Sequence, residues 1–315
     1  MKKLRKPYSG ARRRRAADHA AIGGRGSGWH AARSGRVTLL RAVPLDELPW
    51  IVHAFSTRLG GVSRLAEARV LNLGSTEWDS EEAVAENRRI LLHALGARHT
   101  SLVTLRQRHT DTIHHVDSRP HAPLRGDALI TRAPGLLLAV QTADCVPILL
   151  ADPRRHAVAA IHAGWRGTLA RLAEKTLGRM RMEFDTRVED VVAVLGPAIG
   201  GCCYEVGPEV AQAFAAQFAD ARGWFEGPFD RLASGDDPAP FPWLSMTPPG
   251  HDAPAPRVRL DLRAANRSQL LTAGVPSAQI LSSTLCTSCR TDLLFSHRRE
   301  KGHTGRQMAI IGIRA

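Results

Sequence analysis

Gly135-Leu-Leu-Leu-Ala-Val-Gln141, Val146-Pro-Ile-Leu-Leu150 and Ala157-Val-Ala-Ala-Ile161 are three apolar runs in close succession. Each is strand-sized, and none alternates apolar with polar, so each reads as a strand covered on both faces. Thr142-Ala143-Asp144 separates the first two and Asp152-Pro153 the last two, which places turns between them. After Ile161 the chain passes His162 and the turn Ala163-Gly164-Trp165-Arg166-Gly167, and a helical pattern runs from about Thr168 to Met182. The same order recurs in Val191 to Leu195, the loop Gly196-Pro197-Ala198-Ile199-Gly200-Gly201, and a helix from Pro208 to Phe218.

Outward from this centre, Val37-Thr-Leu-Leu, Ile51-Val-His-Ala-Phe, Ser101 to Leu105, Thr112 to Val116, Val258 to Leu260 and Gln307 to Ile313 read as further strands. Glu81 to Leu95 reads as a helix capped by Asp79-Ser80 and stopped by Gly96, and Leu262 to Ala273 as one stopped by Gly274. Interleaved strands and helices define an α/β (α+β) protein of one compact domain. Residues 219–256 hold 8 of the 19 prolines and read as a Pro-rich surface loop or insertion.

The net charge of +13 is unevenly spread. Residues 1–36 hold 3 Lys and 8 Arg against the single acid Asp18, or 11 − 1 = +10, leaving +3 for the rest. This segment reads as a basic disordered tail, and 37–315 as the folded domain. Nucleic acid is an expected partner only through that tail. No apolar run approaches the roughly 18 residues of a membrane span. The 5 cysteines, Cys145, Cys202, Cys203, Cys286 and Cys289, are odd in number and follow no export signal, so reduced thiols and a cytoplasmic location are expected. Cys286-Thr-Ser-Cys289 has zinc-finger spacing without an evident second pair, and Cys202-Cys203 adjoin; both pairs read as reduced packing residues.

His109, Cys145 and His162 lie at strand ends or the loops that follow, where α/β proteins gather their sites. One thiolate with two imidazoles is a ligand set for a transition metal such as zinc, with a fourth position left for water or substrate. Arg58 and Asn72 flank the Gly-rich turn Leu59-Gly60-Gly61 and the Asn72-Leu73-Gly74 turn. Arg166, Gly167 and Thr168 run into a helix, whose start favours an anion. Asp144 adjoins Cys145, where it can orient a ligand or move protons.

Gly126-Asp127-Ala128, Gln141-Thr-Ala-Asp-Cys145-Val-Pro, His162-Ala-Gly-Trp-Arg-Gly-Thr168, Gly196-Pro-Ala-Ile and Cys202-Cys-Tyr-Glu-Val-Gly207 occur in this order, followed by Cys286-Thr, Phe295-Ser-His-Arg298 and Thr304-Gly-Arg306. The pattern resembles the YfiH/YlmD family, long labelled laccase-domain or polyphenol oxidase proteins, over about Ile51 to Ile313. It departs at Arg106-Gln-Arg-His109, where the family usually has Gln-Val-His-Gly. The resemblance implies four layers, with two central mixed sheets flanked by helices. It also implies zinc on His109, Cys145 and His162, with copper able to displace it in vitro. The implied activity is purine nucleoside phosphorolysis (adenosine, inosine, methylthioadenosine) with adenosine deamination, the partners being purine nucleosides and phosphate. Arg58, Asp144 and Arg166 would be catalytic, Arg58, Asn72, Gly167 and Thr168 would contact substrate, and the protein would be a monomer or homodimer. Two other enzyme classes compete: a copper polyphenol oxidase and a hydrolase editing peptidoglycan precursors. The first is weakened because the chain offers the adjacent pair His114-His115 but no His-x-His.

Overall fold

The computed structural model describes residues 28–230 and 257–315. Two mixed sheets pack face to face. One has seven strands in the order Trp29–Ser34, Val37–Ala42, Ile51–Ser56, Gln307–Ile313, Leu136–Thr142, Ser101–Arg106 and Leu124–Arg125. The other has six, in the order Ile280–Ser282, Val192–Leu195, Val146–Asp152, Ala157–Ala163, Ala128–Thr131 and Ile113–His115.

The three central apolar runs are strands, and their period-two alternation is hidden because both faces are apolar. In Leu136–Thr142, Leu136, Leu138 and Val140 point between the sheets, whereas Leu137 and Ala139 pack towards the helix Glu81–Ala94. In Ala157–Ala163, Val158 and Ala160 face the other sheet, and Ala157, Ala159 and Ile161 face the helices Leu172–Phe184, Pro208–Gln217 and Leu262–Thr272. The result is helix, sheet, sheet, helices: the four layers expected from the resemblance. Each fully buried Leu or Ile in these layers contributes about 2 kcal/mol.

Ser80 caps the helix Glu81–Ala94 by accepting from the Ala83 amide, the start signal read in the sequence. One expected helix is two. Trp165–Leu169 and Leu172–Phe184 are separated at Arg171, which has φ 58°; no Gly or Pro marks the break.

Two boundaries move. The folded body begins before Val37, because Trp29–Ser34 pairs antiparallel with Val37–Ala42. The two-residue turn Gly35-Arg36 closes this hairpin with Gly35 at φ 58°, a conformation glycine adopts without strain. Trp29 packs on Phe55 with ring centroids 5.2 Å apart. The disordered-tail expectation otherwise concerns residues 1–27, outside the described residues. The Pro-rich segment likewise starts as ordered chain. The turn Ala221–Trp224 and strand Phe225–Glu226 lead back to Val258–Leu260, because Trp224, Phe225 and Phe229 are buried against the helical layer. Residues 231–256 lie outside the described residues. Among those described, no helix is long and apolar enough to cross a membrane.

Candidate metal centre

Strand register brings three distant segments to one point. Ser101–Arg106 runs parallel to Leu136–Thr142, so the loops carrying His109 and Cys145 leave at the same end of the sheet. Val146 pairs with Ala163 and Pro147 with His162, which puts Cys145 across from Gly164 and beside His162. The ligand atoms of His109, Cys145 and His162 all lie within 4.8 Å of one another.

Gly164 is required there. A Cβ on it would come 2.8 Å from His109 Nδ1 and 3.0 Å from Cys145 Sγ, filling the space the three ligands share. Two non-glycine residues at the centre are held in the left-handed region, His109 at φ 58° and Asp144 at φ 100°. Such strain costs on the order of 1–3 kcal/mol each and persists where surrounding contacts over-determine it.

At His109 those contacts come from Asp127, which is fully buried. His162 Nδ1 donates to Asp127 Oδ1 at 2.8 Å, and the donor must be Nδ1–H because a carboxylate can only accept. Nε2 of His162 is thereby left with its lone pair free for a metal. The same carboxylate accepts from the amides of Arg108, His109 and Thr110 and from the Thr110 hydroxyl. The Thr110 hydroxyl adds a donor that a glycine at this position would lack. Burial alone would raise the Asp127 pKa, but the His162 and Thr110 donors hold it well below the usual carboxylate range.

Burial pulls His162 down, yet the Cys145 thiolate and Asp127 together outweigh it and carry its pKa up to about 9. That proton is what a metal ion must displace. His109 is shifted down, first by burial and then by the positive charge of His162. A soft sulfur, two imidazoles and a carboxylate behind one of them fit a zinc-type ion.

The other expected site residues divide. Arg166 is exposed, with its guanidinium 4.3 Å from the Trp165 ring centroid, and its charge reaches His109. Asp144 makes no hydrogen bond to the three ligands among its partners. Its Oδ1 accepts from Thr287 Oγ1 at 2.6 Å and its Oδ2 from the Arg298 amide at 2.7 Å, so it positions the loop beside Cys145. Thr168 is buried and holds Asn266 through its hydroxyl. Gly167 is also buried, in a helix of five residues.

Asn72 is buried with both ends of its amide engaged. It donates to Gly74, Thr76 and Asp79 and accepts from the Gly74 and Arg306 amides, which makes it a loop brace. Arg58 makes no hydrogen bond to the ligand cluster. Its Nη1 donates to the Thr291 carbonyl at 2.7 Å and to Glu300 Oε1 at 3.0 Å, above the Phe295 ring. Arg58→Ala is therefore expected to destabilise the fold by roughly 2 kcal/mol, since it orphans partly buried acceptors. A lowered melting temperature with unchanged metal content checks this; an unchanged melting temperature would return Arg58 to the substrate.

Asp127, Tyr204 and Arg306 also belong to the site, although the sequence alone assigns them no role. Tyr204 is pushed up to about 12, by burial first and then by the Cys145 thiolate. Arg306 is lowered by burial and raised by the charges of Cys145 and Asp144, so it stands in the field of the centre. It also lines a cavity of about 880 Å³ with Trp78 and His303, whose rings lie 6.0 Å apart. The signal in the sequence was a charged residue, Asp127, immediately before the apolar strand Ala128–Thr131.

These features define an α/β protein with a Cys/His cluster, placed to hold a metal, where loops from two stacked sheets converge. Residues 52–314 match the family model described as multi-copper polyphenol oxidoreductase laccase. A Deinococcus radiodurans protein named purine nucleoside phosphorylase is 38% identical over 276 residues, covering 87% of this chain and 92% of that protein. A protein from an unknown prokaryotic organism, named adenosine deaminase RL5, is 36% identical over 264 residues, 81% of this chain and 91% of its own. The crystal structure of YlmD from Geobacillus stearothermophilus matches with a TM-score of 0.73 at 32% identity, covering 90% of this chain and 99% of that one. The chain belongs to the YfiH/YlmD family.

Proposed function

We propose that the protein is a purine nucleoside phosphorylase with adenosine deaminase activity, working at a zinc centre held by His109, Cys145 and His162. The observation that carries this reading is the ligand cluster itself, with all three donor atoms within 4.8 Å and Asp127 fixing two of the ligands from behind. The names of the relatives from Deinococcus radiodurans and the unknown prokaryote support the two activities. Zinc held there supplies Lewis acidity and lowers the pKa of water it binds.

The residues around the centre suit an anionic co-substrate and a planar base. Arg166 and Arg306 bring two cations to its edge, and a guanidinium can grip phosphate or ribose oxygens. Trp78 and His303 give the neighbouring cavity an aromatic wall against which a purine can pack. In phosphorolysis a phosphate oxygen attacks C1′ while the bond to the base breaks. The base leaves with the bonding electrons and takes up a proton. Arg166 and Arg306 orient the phosphate in this reading. The unpaired state of all five cysteines supports the cytoplasm as its compartment.

Purified protein given inosine is expected to yield hypoxanthine and ribose 1-phosphate only when phosphate is present, and adenosine is expected to release ammonia. Base release at the same rate without phosphate would make the enzyme a hydrolase and overturn the reading.

A multi-copper oxidase fits the residues poorly. Among the described residues, only two groups are close enough to hold a metal, and they contain two histidines in all. His114 and His115 are engaged elsewhere, with the Arg125 carbonyl and with Asp117 and Glu183.

A further inference from the structure

Four of the five cysteines meet at a second point. Val192–Leu195 and Ile280–Ser282 are parallel neighbours, so the loops that follow them emerge at the same end of the six-stranded sheet. A bridge from Ala198 to Cys286 then ties the two loops together. The adjacent pair Cys202-Cys203 and the Cys286-x-x-Cys289 turn are thereby placed face to face, with all four sulfurs within 4.8 Å of one another. Read singly, each pair is reduced packing; brought together, each supplies the second pair that the other lacks.

We propose that Cys202, Cys203, Cys286 and Cys289 form a second metal site, a tetrathiolate that holds a zinc-class ion and staples these two loops. A zinc–sulfur bond of about 2.3 Å puts the corners of a tetrahedron about 3.8 Å apart. The Cys202–Cys203 and Cys202–Cys289 sulfurs are each 3.7 Å apart and the Cys203–Cys289 sulfurs 3.4 Å. No disulfide joins them. The sulfur set is soft and free of oxygen ligands, which selects zinc over magnesium or calcium. The Gly200 amide donates to Cys286 Sγ at 3.2 Å, the kind of outer hydrogen bond that steadies a ligating thiolate.

Arg263, whose Nη2 would lie 3.1 Å from a Cβ at Gly200, adds a fixed positive charge nearby.

The staple reaches the first centre through one residue. Thr287, inside the Cys286-x-x-Cys289 turn, donates to Asp144 Oδ1, and Asp144 precedes Cys145. The second ion would thus fix the loop that positions Asp144 without touching substrate.

The test is zinc stoichiometry of the full-length protein with zinc as the probe. Wild type is expected to hold two ions per chain, and both Cys145→Ala and the double variant Cys203→Ser/Cys289→Ser one each. Cobalt substitution separates the sites. Cys145→Ala keeps most of the sulfur-to-metal charge-transfer absorption, and the double variant loses most of it. If the double variant does not fold, alkylation of the wild type decides: Cys202, Cys203 and Cys289 should resist modification until a chelator is added. One ion in wild type, alkylation at equal rates with and without chelator, or recovery of these cysteines as disulfides would each overturn the proposal.

Discussion

Cys145→Ala is expected to empty the first metal centre and to lower kcat/KM at least roughly 10³-fold, about 4 kcal/mol of transition-state stabilisation. Three side chains make up the ligand set, so removing its one sulfur leaves two imidazoles that do not close a shell. The loss also reverses the local electrostatics. Cys145 is a main reason His162 keeps a raised pKa despite its burial. Without it, His162 relies on Asp127 alone. The fold should survive, because Cys145 lies between strands that bury Val140 and Val146 independently of it. The expected result is a protein with near-native melting behaviour, one zinc fewer per chain and little turnover of inosine. Wild-type zinc content at this centre, with activity intact, would remove Cys145 from the ligand set.

The parts of this molecule legible from its sequence are those with local causes. The runs Gly135 to Val140 and Val146 to Leu150 announced two-faced burial because no polar residue interrupts either, and the layers on both sides follow from that. Ser80 announced a cap because a hydroxyl before an acidic, helix-forming run has few other uses. The three metal ligands were legible because each is a nitrogen or sulfur donor placed just past an apolar strand.

What stayed hidden depends on tertiary closure. Asp127 serves His109 and His162 from positions 18 and 35 residues away, and a lone aspartate before a strand does not show which loops will fold over it. Arg58 and Asn72 illustrate the converse. A polar residue beside a Gly-rich turn looks the same whether it grips a ligand or a backbone carbonyl, and here both grip the chain. The two cysteine pairs were each visible, but their meeting depends on a parallel pairing of Val192–Leu195 with Ile280–Ser282. The strand Trp29–Ser34 was masked by charge, since Arg33 and Arg36 were counted with the basic residues before them.

Asp127→Asn is expected to weaken zinc binding at the first centre by roughly 10- to 100-fold. The same change should destabilise the metal-free protein by about 3 kcal/mol, because buried donors lose a charged acceptor. Asparagine keeps the size of the side chain but offers one acceptor oxygen where the carboxylate offers two. If its NH₂ takes the Oδ2 position, it faces the Thr110 hydroxyl, which can turn to accept, but also the Arg108 and Thr110 amides, neither of which can. If it takes the Oδ1 position, it faces the His109 amide and His162 Nδ1. His162 would then have to accept at Nδ1 and carry its proton on Nε2, the nitrogen a metal needs. Both orientations damage the centre, the first through the loop that carries His109 and the second through the tautomer of His162. Competition with a chromophoric chelator measures the affinity, and thermal melts with and without zinc separate the two effects. If Asp127→Asn binds zinc as tightly as wild type, the carboxylate is not what prepares His162, and the ligand geometry rests on the strand register alone.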